Sequence, residues 1–392
     1  MQKNGRFKTF PGKHMKIFHI VENLDKGAVE NWLVNVFLES RKHRPDWKWT
    51  FFCVLGKEGR LDDVVRKAGG EVIHSPYWLS QKRNFLLNLR SILKKGQYDI
   101  LHVHHDFQSG FYVPAFLGLR FKRRILHIHN TDKNLPVGNP FIRALLLGPL
   151  RFAAVRWADT VVGISRDTLA EFLKGTRGQE RKGVVLYYGI DLHKFGNRPA
   201  KGWLNDELKI EPGSKVLLFA GRMNELKNPA FVIEVLQELQ HYRKDVVAVF
   251  VGKGGEEQTV IDKARGYGLE ERIRLAGWRD DLSGIMQQSD LFIFPRVEYP
   301  KEGLGLVVVE AQSAGLPMAL SGGIVEDSIV IAELAHFIAL RNNPAQWAAV
   351  VNDILERGRR LSQEEALSLM QRSPFSLTNA AQNLISLYEK AS

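Results

Sequence analysis

Glu302-Gly303-Leu304-Gly305-Leu306-Val307-Val308-Val309-Glu310-Ala311-Gln312-Ser313-Ala314-Gly315-Leu316-Pro317 is the stretch whose reading decides the fold. Two carboxylates are separated by a glycine-containing loop and a short apolar run. The valines predict a strand near 306–308 that passes into a helix near 308–315. Gly303 and Gly305, on either side of Leu304, let the backbone approach a ligand closely. The helix start near Leu306 and Val307 offers free N–H groups and a positive dipole end to an anion. Glu310, one turn further on, faces inward beside it. Each carboxylate oxygen can accept hydrogen bonds from ligand hydroxyls, at roughly 1.5–3 kcal/mol for a charged acceptor. Taken alone, the pair fits equally well two helix-start glutamates beside a buried strand.

Outward from this stretch, short β-branched runs alternate with longer amphipathic ones, the signature of βαβ units and parallel sheets. Strands are expected near 215–219, 246–251, 272–275, 291–294 and 317–320, and helices near 227–240, 256–267 and 344–358. The same rhythm runs earlier, with strands near 16–21, 49–54, 71–74, 99–103, 125–129, 160–164 and 183–187 and helices at 28–40, 84–95 and 140–157. The expected fold is therefore α/β, with two Rossmann-like doubly wound domains. Residues 1–14 read as an N-terminal extension, 15–195 as the first domain and 196–375 as the second. The Gly-, Pro- and charge-rich segment 196–213 reads as a linker, and 376–392 carries a helix that could cross back to the first domain. Such sheets bind ligands at the carboxyl ends of their strands, here across a cleft between the domains.

Composition narrows the classes further. The chain has 392 residues and a formal charge of +12. The basic excess lies entirely in residues 1–195, which carry 33 Lys and Arg against 17 Asp and Glu. Such a field favours an anionic membrane face or an acidic acceptor; no basic helix with interleaved aromatics supports nucleic acid. Aromatics at Trp47, Trp49, Phe51 and Phe52 beside Arg41 to Arg44, and the basic run Arg120 to Arg124, suggest docking on anionic lipid, although strand-core packing is the simpler account of Phe51 and Phe52. Cys53 is the only cysteine, so a disulfide and a four-cysteine metal site are excluded. No run of about 18 apolar residues suggests a membrane span, and the polar start is no secretory signal. A cytoplasmic protein, possible peripheral contact with the inner membrane face included, is the expectation.

The Glu302-to-Glu310 segment, followed by Ala311 and Ala314-Gly315-Leu316-Pro317, closely resembles the donor-site motif of glycosyltransferase family 4, the retaining family with the GT-B fold. Other segments agree in order: Gly221-Arg222 with Lys227-Asn228, Val251-Gly252-Lys253-Gly254, Gly277-Trp278-Arg279, Asp290 to Pro295, Ala158 to Ser165, and Tyr188-Gly189-Ile190-Asp191. The resemblance spans about residues 15–320. It implies that Arg222 and Lys227 hold the donor diphosphate, that Glu310 takes the ribose hydroxyls and that Glu302 takes those of the transferred sugar. The loop Gly303 to Gly305 and the backbone of Leu306 and Val307 would lie near the phosphates. Gly252 would form a turn at the site, and the base would sit near Trp278 and Arg279, mainly on main chain.

In the first domain, Lys26-Gly27-Ala28-Val29-Glu30 resembles the family's Gly-Gly-x-Glu loop near diphosphate and acceptor. Ala28 departs from the second glycine and tolerates positive φ poorly. His129 is assigned to the histidine beside the transferred sugar; Ser165 lines the acceptor side with Glu30. His102 reads as a strand histidine. The crowd of His102, His104, His105, His127 and His129 could converge with Asp106 on a metal, although strand ends suit a polar cleft better. No Asp-x-Asp pair occurs, so no metal cofactor is expected and Arg222 and Lys227 take that role. The implied activity is retaining transfer of a hexose-type sugar from a UDP- or GDP-sugar to a saccharide or lipid-linked acceptor in polysaccharide biosynthesis. An epimerase or a catalytically silent GT-B binding protein is the alternative.

Overall fold

Short apolar strands buried on both faces need helices on both sides, and both halves of the chain solve this in the same way. The computed structural model describes residues 14–25, 27–130, 140–176 and 178–390. Residues 1–13 of the expected extension, and Lys26 of the first loop, lie outside the described residues. The chain forms two units, Met1–Gly189 with Leu377–Ser392, and Ile190–Ser376.

The first unit holds strands β1 (Lys16–Val21), β2 (Lys48–Cys53), β3 (Glu71–His74), β4 (Ile100–Val103), β5 (Arg123–Ile128), β6 (Thr160–Gly163) and β7 (Gly183–Val185). They form a parallel sheet in the order β3-β2-β1-β4-β5-β6-β7. The second unit holds β8 (Lys215–Ala220), β9 (Val246–Val251), β10 (Ile273–Gly277), β11 (Leu291–Phe294), β12 (Met318–Leu320) and β13 (Ala335–Phe337), in the order β10-β9-β8-β11-β12-β13. The order reverses between β1 and β4 and again between β8 and β11. A doubly wound sheet opens a crevice at such a switch point.

The strand expected near 306–308 is not a strand. Leu306–Ser313 is helical from its first residue, and Gly305 at φ 76° is the left-handed turn that starts it. Valine prefers strands mildly, but burial of Val308 and Val309 on the core face outweighs that preference. The sixth strand is instead β13, which the pattern did not show. The segment 196–213 is no bare linker either, since it contains the helix Trp203–Leu208.

In the first unit, the last helix, Leu377–Glu389, packs on the helix Ala28–His43. Arg123 donates to the carbonyls of Leu387 (3.0 Å) and Lys390 (2.9 Å), which satisfies the free end of that helix. Arg124 pairs with Asp159. Lys122 pairs with Asp99 at 2.9 Å, so three of the four basic residues in the second run are committed to the fold. Trp47, Trp49, Phe51 and Phe52 are each at most 2% exposed, so these aromatics belong to the core and cannot insert into lipid. Cys53 is buried as well, and burial pushes its thiol up to about 12.

Candidate functional site

In the second unit, the carboxyl ends of β8, β9, β10 and β11 come together. Gly252 sits at φ 126°, and a Cβ there would lie 2.0 Å from the Gly221 carbonyl oxygen, so only glycine lets the loops after β8 and β9 approach. Gly252 N–H also donates to the Gly277 carbonyl at 2.7 Å, which ties in the end of β10.

Beside these turns stands a charged group. Glu302 accepts from the Lys227 ammonium and lies 2.9 Å from the Arg296 guanidinium. Lys227 also lies 4.9 Å from the centre of the Phe294 ring. Arg296 is 3% exposed and held by the carbonyls of Leu226 (3.1 Å) and Pro300 (2.7 Å). Burial lowers the Lys227 pKa, and Glu302 opposes that shift. Arg222 is exposed at the mouth of the same turn. Two cations thus already converge on one carboxylate, with a third close in sequence.

One turn away, the helix Leu306–Ser313 begins with no side-chain cap. Val308 N–H bonds the Gly305 carbonyl at 2.9 Å, which leaves the N–H groups of Leu306 and Val307 without an acceptor among the described residues. Gly303 and Leu304 form the approach to it, and Leu304 is 3% exposed and anchors the loop. Glu310 is partly buried, and its carboxylate has no hydrogen-bond partner among the described residues. Desolvation pushes it up to about 7, with Lys194 pulling the other way. Trp278 is 74% exposed. The Arg279 side chain is spent on Asp281 (2.6 and 2.8 Å) and Glu207 (2.8 Å), so this position offers main chain only.

In the first unit, a cavity of about 420 Å³ opens at the ends of β1, β2, β4 and β5, against the switch point. Glu30, His104, Asp106, His129 and Asn130 are among its lining residues. Gly27 has an extended φ of −102°, and Ala28 is the first residue of its helix. Ala28 is not among the residues with positive φ, so alanine carries no backbone strain at this position. Burial raises the Glu30 pKa, and Glu22 and Asp25 add to it. His129 is 4% exposed, with Nδ1 on the Tyr188 hydroxyl and Nε2 3.0 Å from His104 Nδ1. His102 is fully buried. Ser165, expected on the acceptor side, is not on the cavity wall: it is fully buried and caps the helix Arg166–Leu173, accepting from Thr168 N–H at 3.1 Å.

Two residues were not singled out for this role by the sequence. Arg296 directly follows Phe294-Pro295, and its only signal is a basic residue at a strand end. Asp106 has φ 43°, an unusual value for a non-glycine residue. Its carboxylate accepts the backbone N–H of His129 at 2.7 Å, and burial pushes its pKa up to about 7. Among the described residues no helix is long and apolar enough to cross a membrane.

Residues 204–368 match the family Glycosyl transferases group 1, and residues 38–194 match Glycosyltransferase Family 4. The EpsF protein of Bacillus subtilis (strain 168) is 26% identical over 351 residues, covering 88% of each chain. The UDP-Gal:alpha-D-GlcNAc-diphosphoundecaprenol alpha-1,3-galactosyltransferase of Escherichia coli is 25% identical over 320 residues, covering 80% of this chain and 79% of its own. Among solved structures, Anabaena Alr3699/HepE in complex with UDP superposes with a TM-score of 0.78 at 17% identity, covering 96% of this chain and 100% of its own. With both units matched and the fold shared, the chain belongs to the group 1 glycosyl transferases and has their GT-B architecture.

Proposed function

We propose that this glycosyltransferase moves a hexose-type sugar, with retention and without a metal ion, from a UDP- or GDP-sugar to a saccharide or lipid-linked acceptor in polysaccharide or glycoconjugate synthesis. The observation that carries the reading is the convergence of Lys227 and Arg296 on Glu302 beside an uncapped helix start and an unpartnered Glu310. The relatives' names support the substrate classes. The Escherichia coli relative is named for UDP-Gal and a diphosphoundecaprenol acceptor, and the Anabaena protein has been solved with UDP and with UDP-glucose.

In this reading the diphosphate meets the helix start and the cations Arg222 and Lys227. These residues gain interaction energy as the leaving group gains charge, which lowers the barrier more than it tightens ground-state binding. Glu310 takes the ribose hydroxyls. Glu302, held in place by Lys227 and Arg296, takes hydroxyls of the transferred sugar. The turns at Gly252 and at Gly303 to Gly305 keep the backbone close, and main chain at Trp278 and Arg279 meets the base. Glu30 and His129 line the first unit's cavity for the acceptor side, and the Gly27-Ala28 turn that leads into Glu30 approaches the diphosphate. The bond from the anomeric carbon to the diphosphate breaks while the acceptor oxygen attacks the same face, and a phosphate oxygen takes the acceptor proton.

Transfer from a UDP- or GDP-sugar in excess chelator, with the product's anomeric configuration read by NMR, tests the reaction. Retention with undiminished rate is expected; inversion or a strict need for divalent ion contradicts it. We also propose peripheral contact with anionic lipid, carried by the +16 charge of residues 1–195 and by exposed apolar side chains such as Phe152 (67%) and Leu117 (60%). Co-sedimentation with anionic vesicles at low salt, and its loss at high salt, is the expected outcome. Equal, negligible binding to anionic and neutral vesicles contradicts it.

A further inference from the structure

Five histidines share one face of the first unit's central strands: His19 on β1, His102 on β4 with His104 just beyond, and His127 on β5 with His129 just beyond. Alternate positions along a strand point the same way. All five are at most 5% exposed. With two tyrosines they make one unbroken run of contacts. His127 Nδ1 meets His102 Nε2 at 3.2 Å, and His102 Nδ1 meets the Tyr388 hydroxyl at 2.7 Å. The Tyr388 hydroxyl lies 3.5 Å from His19 Nε2, and His19 Nδ1 meets His104 Nε2 at 2.9 Å. His104 Nδ1 meets His129 Nε2 at 3.0 Å, and His129 Nδ1 meets the Tyr188 hydroxyl.

A neutral imidazole donates once and accepts once, so in such a run the proton placement at one end decides all the others. Burial holds all five rings neutral, well below the ordinary histidine value. The deciding end is His127, whose Nε2 is buried with no partner among the described residues. A proton there would be an orphaned donor, the rarer and costlier defect. The Trp32 ring packs edge-on against His127 (centroids 5.2 Å, 83°), and its indole N–H is itself an unpartnered donor. An acceptor at Nε2 suits that neighbour better than a second donor.

We infer that His127 carries its proton on Nδ1 and that this choice propagates along the run, which makes His129 a fixed neutral Nδ1–H tautomer. His127 donates to His102, His102 to Tyr388, Tyr388 to His19, His19 to His104, and His104 to His129 Nε2. His129 then donates to Tyr188. His104, His19 and Tyr388 are positioning residues for His129, and Tyr388 brings the C-terminal helix into the design. His129 therefore neither takes up nor releases a proton unless the whole run reverses. The functional weight of this rests on His129 lying at the sugar-transfer site; the tautomer itself does not. A metal ion would compete for the same lone pairs, since nitrogens of His19, His102 and His104, and of His104, His127 and His129, lie within 4.8 Å of one another. Neither trio includes a carboxylate to offset a dication in so buried a place.

The test is long-range 1H–15N NMR of histidine-labelled full-length protein, together with elemental analysis of the protein as purified. The inference expects Nδ1–H tautomers at all five positions and no stoichiometric transition metal. In Tyr388→Phe the donor that pins His19 is gone, so His19, His104 and His129 should show mixed tautomers. Turnover should then fall about tenfold with the donor KM unchanged. An Nε2–H proton on His129 in the wild type, unaltered tautomers in Tyr388→Phe, or one bound metal per chain overturns it. Should Tyr388→Phe not fold, the wild-type tautomers and the same measurement on His127→Asn decide. Expected tautomers with no transferase activity would sink the proposed function and leave this inference standing.

Discussion

The two units share a topology and oppose each other in electrostatics. At the switch point of the first, buried rings are kept neutral and hydrogen-bond one another in a run that ends on His127; burial lowers His129 to about 3. At the switch point of the second, full charges meet: Lys227 and Arg296 against Glu302, with Glu310 raised to about 7. Position in a doubly wound sheet thus marks where a ligand goes and says nothing of what kind. The chemistry comes from the few residues placed on the strand ends. A site built for an anion keeps cations and free N–H groups, whereas a site built for uncharged hydroxyls can run on neutral hydrogen bonds.

The contrast can be broken most forcefully on the charged side. Lys227→Ala and Glu310→Ala should each lower transfer about 100-fold or more while the fold survives, as removal of a preorganised electrostatic partner does. Near wild-type rates in either variant would remove the assignment of that residue.

Those two residues were nameable as candidates from the sequence because spacing and order carry them. What surrounds them was not. Arg296 gains meaning only when β11 brings it beside Glu302, a contact between positions that no local pattern links. The run Val307 to Val309 read as a strand because side-chain preference is local, whereas the left-handed Gly305 and burial against the sheet impose a helix. Strand β13 is three residues long, with His336 between Ala335 and Phe337, so it is too short to show a periodicity. Trp47 and Trp49 beside the basic run suggested lipid docking, while Phe51 and Phe52 read more simply as strand core, because sequence cannot tell an aromatic beside basic residues from an aromatic beneath them; the structure buries all four. The histidine run was visible only as crowding; its connection through Tyr388 joins positions 286 residues apart.

A smaller effect sharpens the comparison through pH. Glu310 at about 7 must ionise to accept ribose hydroxyls well, so nucleotide affinity should weaken below pH 7, by up to about tenfold per unit. That dependence should vanish in Glu310→Gln and persist in His129→Gln, because the first unit's buried rings do not titrate there. Stability carries the same signature. The folded state holds the Glu310 proton more tightly than the unfolded state, so between the ordinary glutamate value and about 7 this group lowers stability as pH rises. Glu310→Gln should therefore raise the melting temperature at pH 8, by the equivalent of about 1–2 kcal/mol, and leave it unchanged at pH 4. A destabilised Glu310→Gln at pH 8 would mean that the carboxylate is paired in the fold.

The central claim is that the charged end of the second unit is a nucleotide-sugar site that works without metal. Thermal shift with UDP, GDP and their sugars, in excess chelator, for the wild type and Lys227→Ala tests it most directly. Saturation with the true donor at about 100 times Kd should stabilise the wild type by about 2.7 kcal/mol. The account predicts that shift in the wild type and its loss in Lys227→Ala. No shift with any nucleotide, or a shift of equal size in both proteins, would contradict it.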